Sequence, residues 1–165
     1  MARLRRDEPQ TADWQDVVER LRRLALALSR DPHEADDLTQ QTLAELLARR
    51  PDRASHVGYA RQTLTRLWLD RQRARRRRWL AWLRLAAGFR ESAPAARGDP
   101  EQHARLDAAI ADLPPPQRAA LALRLIEDLD YAEIADVLGC SVAAVRANLH
   151  LARRALRAAE ERDHD

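Results

Sequence analysis

The sequence predicts an all-α protein made of two small helical domains joined by a linker, the second of them a helix-turn-helix. Three observations predict it. Apolar residues recur at three- and four-residue steps along most of the chain and nowhere alternate as they would in a strand. Ala, Leu and Arg, which all favour helix, dominate a composition of 45% hydrophobic and 33% charged residues with only 4 Gly. A stretch of linker composition, ESAPAARG, divides the chain, and 165 residues suffice for two cores near the lower size limit for independent folding.

Trp14, Val17, Val18, Leu21, Leu24, Ala25 and Leu28 lie on one stripe, so a helix begins after Asp13. Asp31 caps a second helix, Pro32 fits its first position and Glu34 stands at the third position of a box-like cap. That helix runs through Leu38, Leu43, Leu46 and Leu47 to about Arg50. Pro51 to Ser55 reads as a loop. Val57, Ala60, Leu64, Leu67 and Trp68 then mark a third helix that runs into a dense arginine run. These three helices form the first domain, residues 13–78. Residues 79–98 form the linker, opening on the apolar piece WLAWLRLAAGF. In it Trp79, Trp82, Leu83 and Phe89 fit either a helical extension packed on the first domain or a docking strip for a protein partner.

The second domain spans residues 99–161. Asp99 and Pro100 restart helix as Asp31 and Pro32 do, with Leu106, Ala109, Ile110 and Leu113 as the buried stripe. Pro114, Pro115 and Pro116 end it, and a further helix runs through Leu121, Leu123 and Ile126. Asp130 with Glu133 caps the next helix, Ile134, Ala135 and Leu138 point inward, and Gly139 supplies the left-handed stop. Ser141 caps a longer helix carrying Val142, Val145, Leu149, Ala152 and Leu156. A short helix, a tight turn and a longer helix make a helix-turn-helix. Its exposed face holds Ala143, Ala144, Arg146, Ala147, Asn148, Leu151 and Arg154. Small residues there permit close approach to a major groove, while Arg and Asn address base edges or phosphates.

All 29 basic residues are Arg, and with 26 acidic residues they leave a net charge of +3. The distribution says more than the sum, because Arg71, Arg73, Arg75, Arg76, Arg77 and Arg78 form one run suited to phosphate contacts. The N-terminus has no apolar segment behind its basic residues, and no apolar run approaches membrane-spanning length, so a cytoplasmic protein without membrane insertion is expected. The single cysteine, Cys140, excludes an internal disulfide and a Cys-based zinc cluster, and its neighbours suggest a small buried side chain in a turn.

The stretch ADLPPPQRAALALRLIEDLDYAEIADVLGCSVAAVRANLHLARRALR resembles the promoter-reading C-terminal domain of extracytoplasmic-function (ECF) sigma factors, with its LPxxQR opening, YAEIA helix and LGCS turn. The resemblance implies that Ser141, Ala144, Arg146, Ala147, Asn148, Arg153 and Arg154 meet the promoter element near minus thirty-five. RLALALSRDPHEADDLTQQTLAELL is similar to the polymerase-binding helix of that family. By that similarity Asp37, Leu38, Gln40 and Gln41 bind core RNA polymerase, at the coiled coil of its β′ subunit, and the resemblance also implies contact with the β flap. Gln41 stands where the family usually has Glu. YARQTLTRLWLDRQRARRRR resembles the helix that opens and reads the element near minus ten, which implies DNA contacts for Tyr59, Arg61, Arg66, Arg71, Arg73, Arg75 and Arg76. Arg66 replaces an expected Asn and Trp68 a commonly small residue, and Trp68 reads as core more than as a base platform.

The resemblance implies no catalysis, cofactor or metal, and leaves an inhibitory anti-sigma partner open. Two other classes remain. A stand-alone helix-turn-helix regulator would use the second domain alone and leave the first without a purpose. A metal-dependent nuclease would need His33, Glu34, Asp36 and Asp37 to converge, yet acidic residues at a helix start are explained by capping and the helix dipole.

Overall fold

The computed structural model of the protein describes residues 11–49, 56–85 and 102–161. Among the described residues the elements are all helices: α1 (Thr11–Ser29), α2 (Pro32–Arg49), α3 (His56–Leu85), α4 (Gln102–Asp112), α5 (Pro115–Leu125), α6 (Tyr131–Leu138) and α7 (Val142–Glu161). The loop at Pro51 to Ser55, the ESAPAARG stretch, Phe89, the helix start at Asp99 and Pro100, and the side chains of Trp82 and Leu83 lie outside them.

The stripe on α1 buries Leu21, Leu24 and Leu28 against Leu38 and Leu46 of α2 and Leu64 and Trp68 of α3. Burying one such side chain is worth roughly 1.5–3 kcal/mol over leaving it exposed. Threonines inside this core satisfy themselves locally. The hydroxyls of Thr39, Thr42 and Thr65 donate to the carbonyls of Ala35, Leu38 and Arg61 at 2.8, 2.7 and 2.9 Å. Arg30, in the left-handed region at φ 60°, closes α1. Asp31 Oδ1 then accepts from the backbone N–H groups of His33 (2.8 Å) and Glu34 (3.4 Å), so the cap of α2 forms as its sequence predicts. The Glu34 side chain does not complete a box. It is 8% exposed and accepts from Arg75 Nη2 at 2.8 Å, because a buried carboxylate gains more from a guanidinium than from a backbone amide.

The third helix is longer than the domain it was expected to close. α3 continues as one element of 30 residues through the arginine run and beyond position 78 to Leu85, and Trp79 and Leu80 stand exposed on it.

In the second half of the chain the proline triplet has two roles. α4 stops at Asp112, Pro114 is the N-cap of α5, and Pro115 and Pro116 occupy its first positions, where a missing N–H costs nothing. Of the stripe expected on α4, Leu113 is buried but Leu106 is exposed. Asp130 Oδ1 accepts from Ala132 and Glu133 N–H, both at 2.8 Å, and Glu133 Oε2 accepts from Asp130 N–H at 2.8 Å. Gly139 (φ 62°) ends α6, and Ser141 Oγ accepts from Ala144 N–H at 3.2 Å to start α7. The two helices turn through 101°. Leu123, Ile134, Val145 and Leu149 fill the space between α5, α6 and α7. Because Asp130 satisfies two orphan amides at once, Asp130→Ala should destabilise this domain by about 1 kcal/mol in urea unfolding, within the 0.5–2 kcal/mol range of N-cap losses.

Candidate nucleic-acid interface

The cap at Ser141 and the buried series Val145, Leu149 and Ala152 fix the rotation of α7. That rotation exposes Ala143, Arg146, Ala147, Leu151, Arg153 and Arg154. Arg146 lies over the Tyr131 ring, its guanidinium carbon 6.0 Å from the centroid, which ties a cation of α7 to the first turn of α6. Arg124, Tyr131, Ala132, Val142 and Arg146 line an open dent on this side. Ala144 and Asn148 are only half-exposed, and Asn148 lines a cleft shared with Leu69, Gln72, Arg73 and Arg76 of α3.

The arginines of α3 are not a loose fringe. Arg66 pairs with Glu45 at 2.9 Å, Arg73 with Asp70 at 2.8 Å and Arg75 with Glu34 at 2.8 Å. Arg71 Nη2 donates to Gln41 Oε1 at 2.9 Å, so a residue expected to meet polymerase and one expected to meet DNA bond to each other. Tyr59 is half-buried, with Arg49 over its ring. Arg76, Arg77 and Arg78 are exposed.

On α2, Asp37, Gln40 and Gln41 share the exposed face that helical spacing predicts. Leu38 does not join them. It is 0% exposed and belongs to the core, so it can support that face but not touch a partner. The four residues weighed as a nuclease centre do not converge: Glu34 is engaged by Arg75, and Asp36 pairs with Arg22 at 3.0 Å. Among the described residues no group of three or more His, Cys, Asp or Glu side chains is placed to hold a metal ion. No single helix described is long and apolar enough to cross a membrane.

Contacts between the domains escaped the sequence reading. Arg118 of α5 donates to Leu28 O of α1 at 3.1 Å and to the Ala111 and Leu113 carbonyls of its own domain. Its guanidinium carbon lies 5.6 Å from the centre of the Trp68 ring. Burial, and then the neighbouring Arg30, lower its pKa from the ordinary value. Arg61 Nη1 meets Glu127 Oε2 at 3.4 Å, Arg30 meets Asp107 at 2.8 Å, and Gln62 Nε2 donates to Asp136 O at 3.3 Å. Between the domains opens a cleft of about 440 Å³ whose lining includes Leu69, Gln72, Arg73 and Arg76 on one wall and Cys140 and Asn148 on the other.

Cys140 is exposed rather than buried, and its role in the turn is made by its backbone, whose N–H donates to Ala135 O at 3.0 Å. Partial desolvation pushes its thiol pKa upward. The thiolate is the reactive form, so the folded chain should alkylate with iodoacetamide at pH 8 more slowly than the urea-unfolded chain, and equal rates would contradict that environment.

Comparison with known proteins agrees with both halves of this geometry. The family model described as Sigma-70 region 2 matches residues 14–78, and the model described as Sigma-70, region 4 matches residues 103–156. The chain is similar to the ECF RNA polymerase sigma factor SigE of Mycolicibacterium smegmatis, 34% identical over 164 residues, an overlap covering 92% of this chain and 63% of that protein. It thus spans less than two thirds of the length of that relative. Its fold is similar to that of the sigma factor RpoE solved in complex with the anti-sigma factor NepR from Bartonella quintana, with a TM-score of 0.68 and 24% identity over 91% of this chain and 95% of that one.

Proposed function

The chain belongs to the sigma-70 family, in its extracytoplasmic-function group, and from that membership we propose that it binds core RNA polymerase and directs it to particular promoters in the cytoplasm, performing no chemistry itself. The observation that carries this reading is the presence of both matched regions in one chain, each with a surface suited to its task. A stand-alone regulator would need only the helix-turn-helix of α6 and α7. It would leave the exposed Asp37, Gln40 and Gln41 and the arginine-bearing α3 without a role.

In this division of labour residues 13–78 hold polymerase and open the element near minus ten, residues 79–98 connect, and residues 99–161 read the element near minus thirty-five. Asp37, Gln40 and Gln41 meet the polymerase, with Leu38 buried behind them. Arg61, Arg66, Arg71, Arg73, Arg75 and Arg76 supply cations for the backbone of the melted strand, and Tyr59 supplies an aromatic face for an unstacked base. Ser141, Ala144, Arg146, Ala147, Asn148, Arg153 and Arg154 serve the duplex. The relative RpoE was crystallised with an anti-sigma factor, and this chain is a candidate for a protein inhibitor of the same kind.

Capture of core polymerase separates the two readings, since a stand-alone regulator has no stable complex with it. The double variant Asp37→Ala and Gln40→Ala should weaken that complex while changing folding stability by less than about 0.5 kcal/mol, because both side chains are exposed. Unchanged core affinity in a titration of this variant would remove α2 from the polymerase interface.

A further inference from the structure

We propose that the far end of α3, centred on Arg77, Arg78, Trp79 and Leu80, docks reversibly on an anionic lipid surface. Trp68 is the last buried residue of α3, and every residue from Arg75 to Ala81 is exposed. At about 1.5 Å per residue, Trp79 stands about 16 Å along the helix axis from that core. Trp79 is 51% and Leu80 42% exposed, so two large apolar side chains meet solvent at the end of a helix that has left its domain. The direction of these residues separates a lipid from a protein groove. Consecutive helical residues lie about 100° apart, so Trp79, Leu80 and Ala81 take three different sides of α3. A protein groove covers one stripe of a helix, whereas lipid receives one that is apolar on every side.

The charge beside them decides which lipid. From position 71 to 85 the sequence has Arg at seven places and neither Asp nor Glu. Arg71, Arg73 and Arg75 are held by Gln41, Asp70 and Glu34, but among the described residues no carboxylate pairs with Arg76, Arg77 or Arg78. Cations followed directly by apolar side chains are ordered as a bilayer is, with its phosphates outside its apolar region. The long arginine stems keep the guanidiniums among the headgroups while Trp79 and Leu80 sink just beneath them. Such attachment lies on the membrane and needs no spanning helix, and no single described helix is long and apolar enough to be one. Arg76 is also a candidate contact for the melted promoter strand, so lipid and promoter compete for this end of α3. That consequence, unlike lipid docking itself, rests on the promoter reading above.

The test is sedimentation of the full chain with vesicles of phosphatidylglycerol and phosphatidylcholine in equal parts, against vesicles of phosphatidylcholine alone. At about 0.1 M salt the chain should bind the anionic vesicles at least about tenfold more tightly than the neutral ones. Arg77→Gln with Arg78→Gln should weaken that binding about tenfold or more, since each cation near an anionic surface adds its own attraction. Trp79→Ser with Leu80→Ser should weaken it by a similar factor, and should abolish the part that persists at about 0.5 M salt, where attraction between exposed charges is screened. All four side chains are exposed, so both variants keep the fold, which circular dichroism checks. Equal binding to the two kinds of vesicle overturns the proposal. So does a Trp79→Ser, Leu80→Ser variant that binds anionic vesicles as tightly as the parent, which leaves only the adsorption of a basic chain. If that variant instead loses capture of core polymerase while keeping vesicle binding, the strip belongs to a protein partner. Anionic vesicles should also inhibit chain-dependent transcription by the parent and not by that variant. Vesicle binding without any chain-dependent transcription would keep the lipid site and reject the promoter reading.

Discussion

Trp68→Ala should lower folding stability by about 3–5 kcal/mol, the usual loss when a large aromatic side chain is removed from a packed interior. The ring is 0% exposed, lies in the core formed by α1, α2 and α3 and is covered from the second domain by Arg118. Its removal therefore opens a cavity and strips the Arg118 guanidinium of its cation–π partner at the same time. Urea unfolding followed by far-ultraviolet circular dichroism measures the effect, since the native state of these elements is helical. A loss under about 1 kcal/mol, the level of an ordinary surface substitution, would show that the ring is not buried in solution. The burial assigns Trp68 to packing and not to the capture of an unstacked base.

The other large effect is expected at Asn148. An amide side chain both donates to and accepts from one adenine edge, so Asn148→Ala should cost about 1–3 kcal/mol at the preferred upstream element and relax the preference at one base pair. Its neighbour Arg146 is exposed and poised over Tyr131, and salt dependence identifies what it touches. A phosphate contact predicts that Arg146→Ala weakens all sequences alike and reduces the salt slope by about 1, whereas a guanine contact predicts a loss at one position. Selection of upstream elements by the Asn148→Ala variant that returned the parent preference at every position would exclude Asn148 from base reading.

The helices were legible because each carries its own start and stop. Asp31, Asp130, Gly139 and Ser141 act within a few residues of themselves, and the structure has each doing what its type and position predict. Leu24, Leu64, Ile134 and Leu149 were legible as core for the same reason, since helical spacing alone decides which face they take. Leu38 shows the limit of reading a site from a motif, because it stands among contact residues in sequence while its place in the helix turns it inward. Glu34 shows another limit, since its cap-like position was overruled by an arginine 41 residues away. The domain interface left no local trace. Arg61 and Glu127 are 66 residues apart and Arg118 and Leu28 are 90 apart, and nothing in a helical period couples positions at such distances. The arginines on α3 were readable as a basic run, but that Glu45 and Glu34 hold Arg66 and Arg75 in place depends on how α2 and α3 cross.

The central claim is that this one chain both grips polymerase and chooses where it starts. Transcription reconstituted from purified core polymerase, the full chain and a library of promoter templates tests it in one step, with transcripts sequenced from their first nucleotide. The account predicts initiation that depends on the added chain, at templates sharing two elements spaced as those near minus thirty-five and minus ten are, with the preference at the upstream element altered by Asn148→Ala. Transcripts independent of the chain, or chain-dependent transcripts with no shared upstream element, would contradict it.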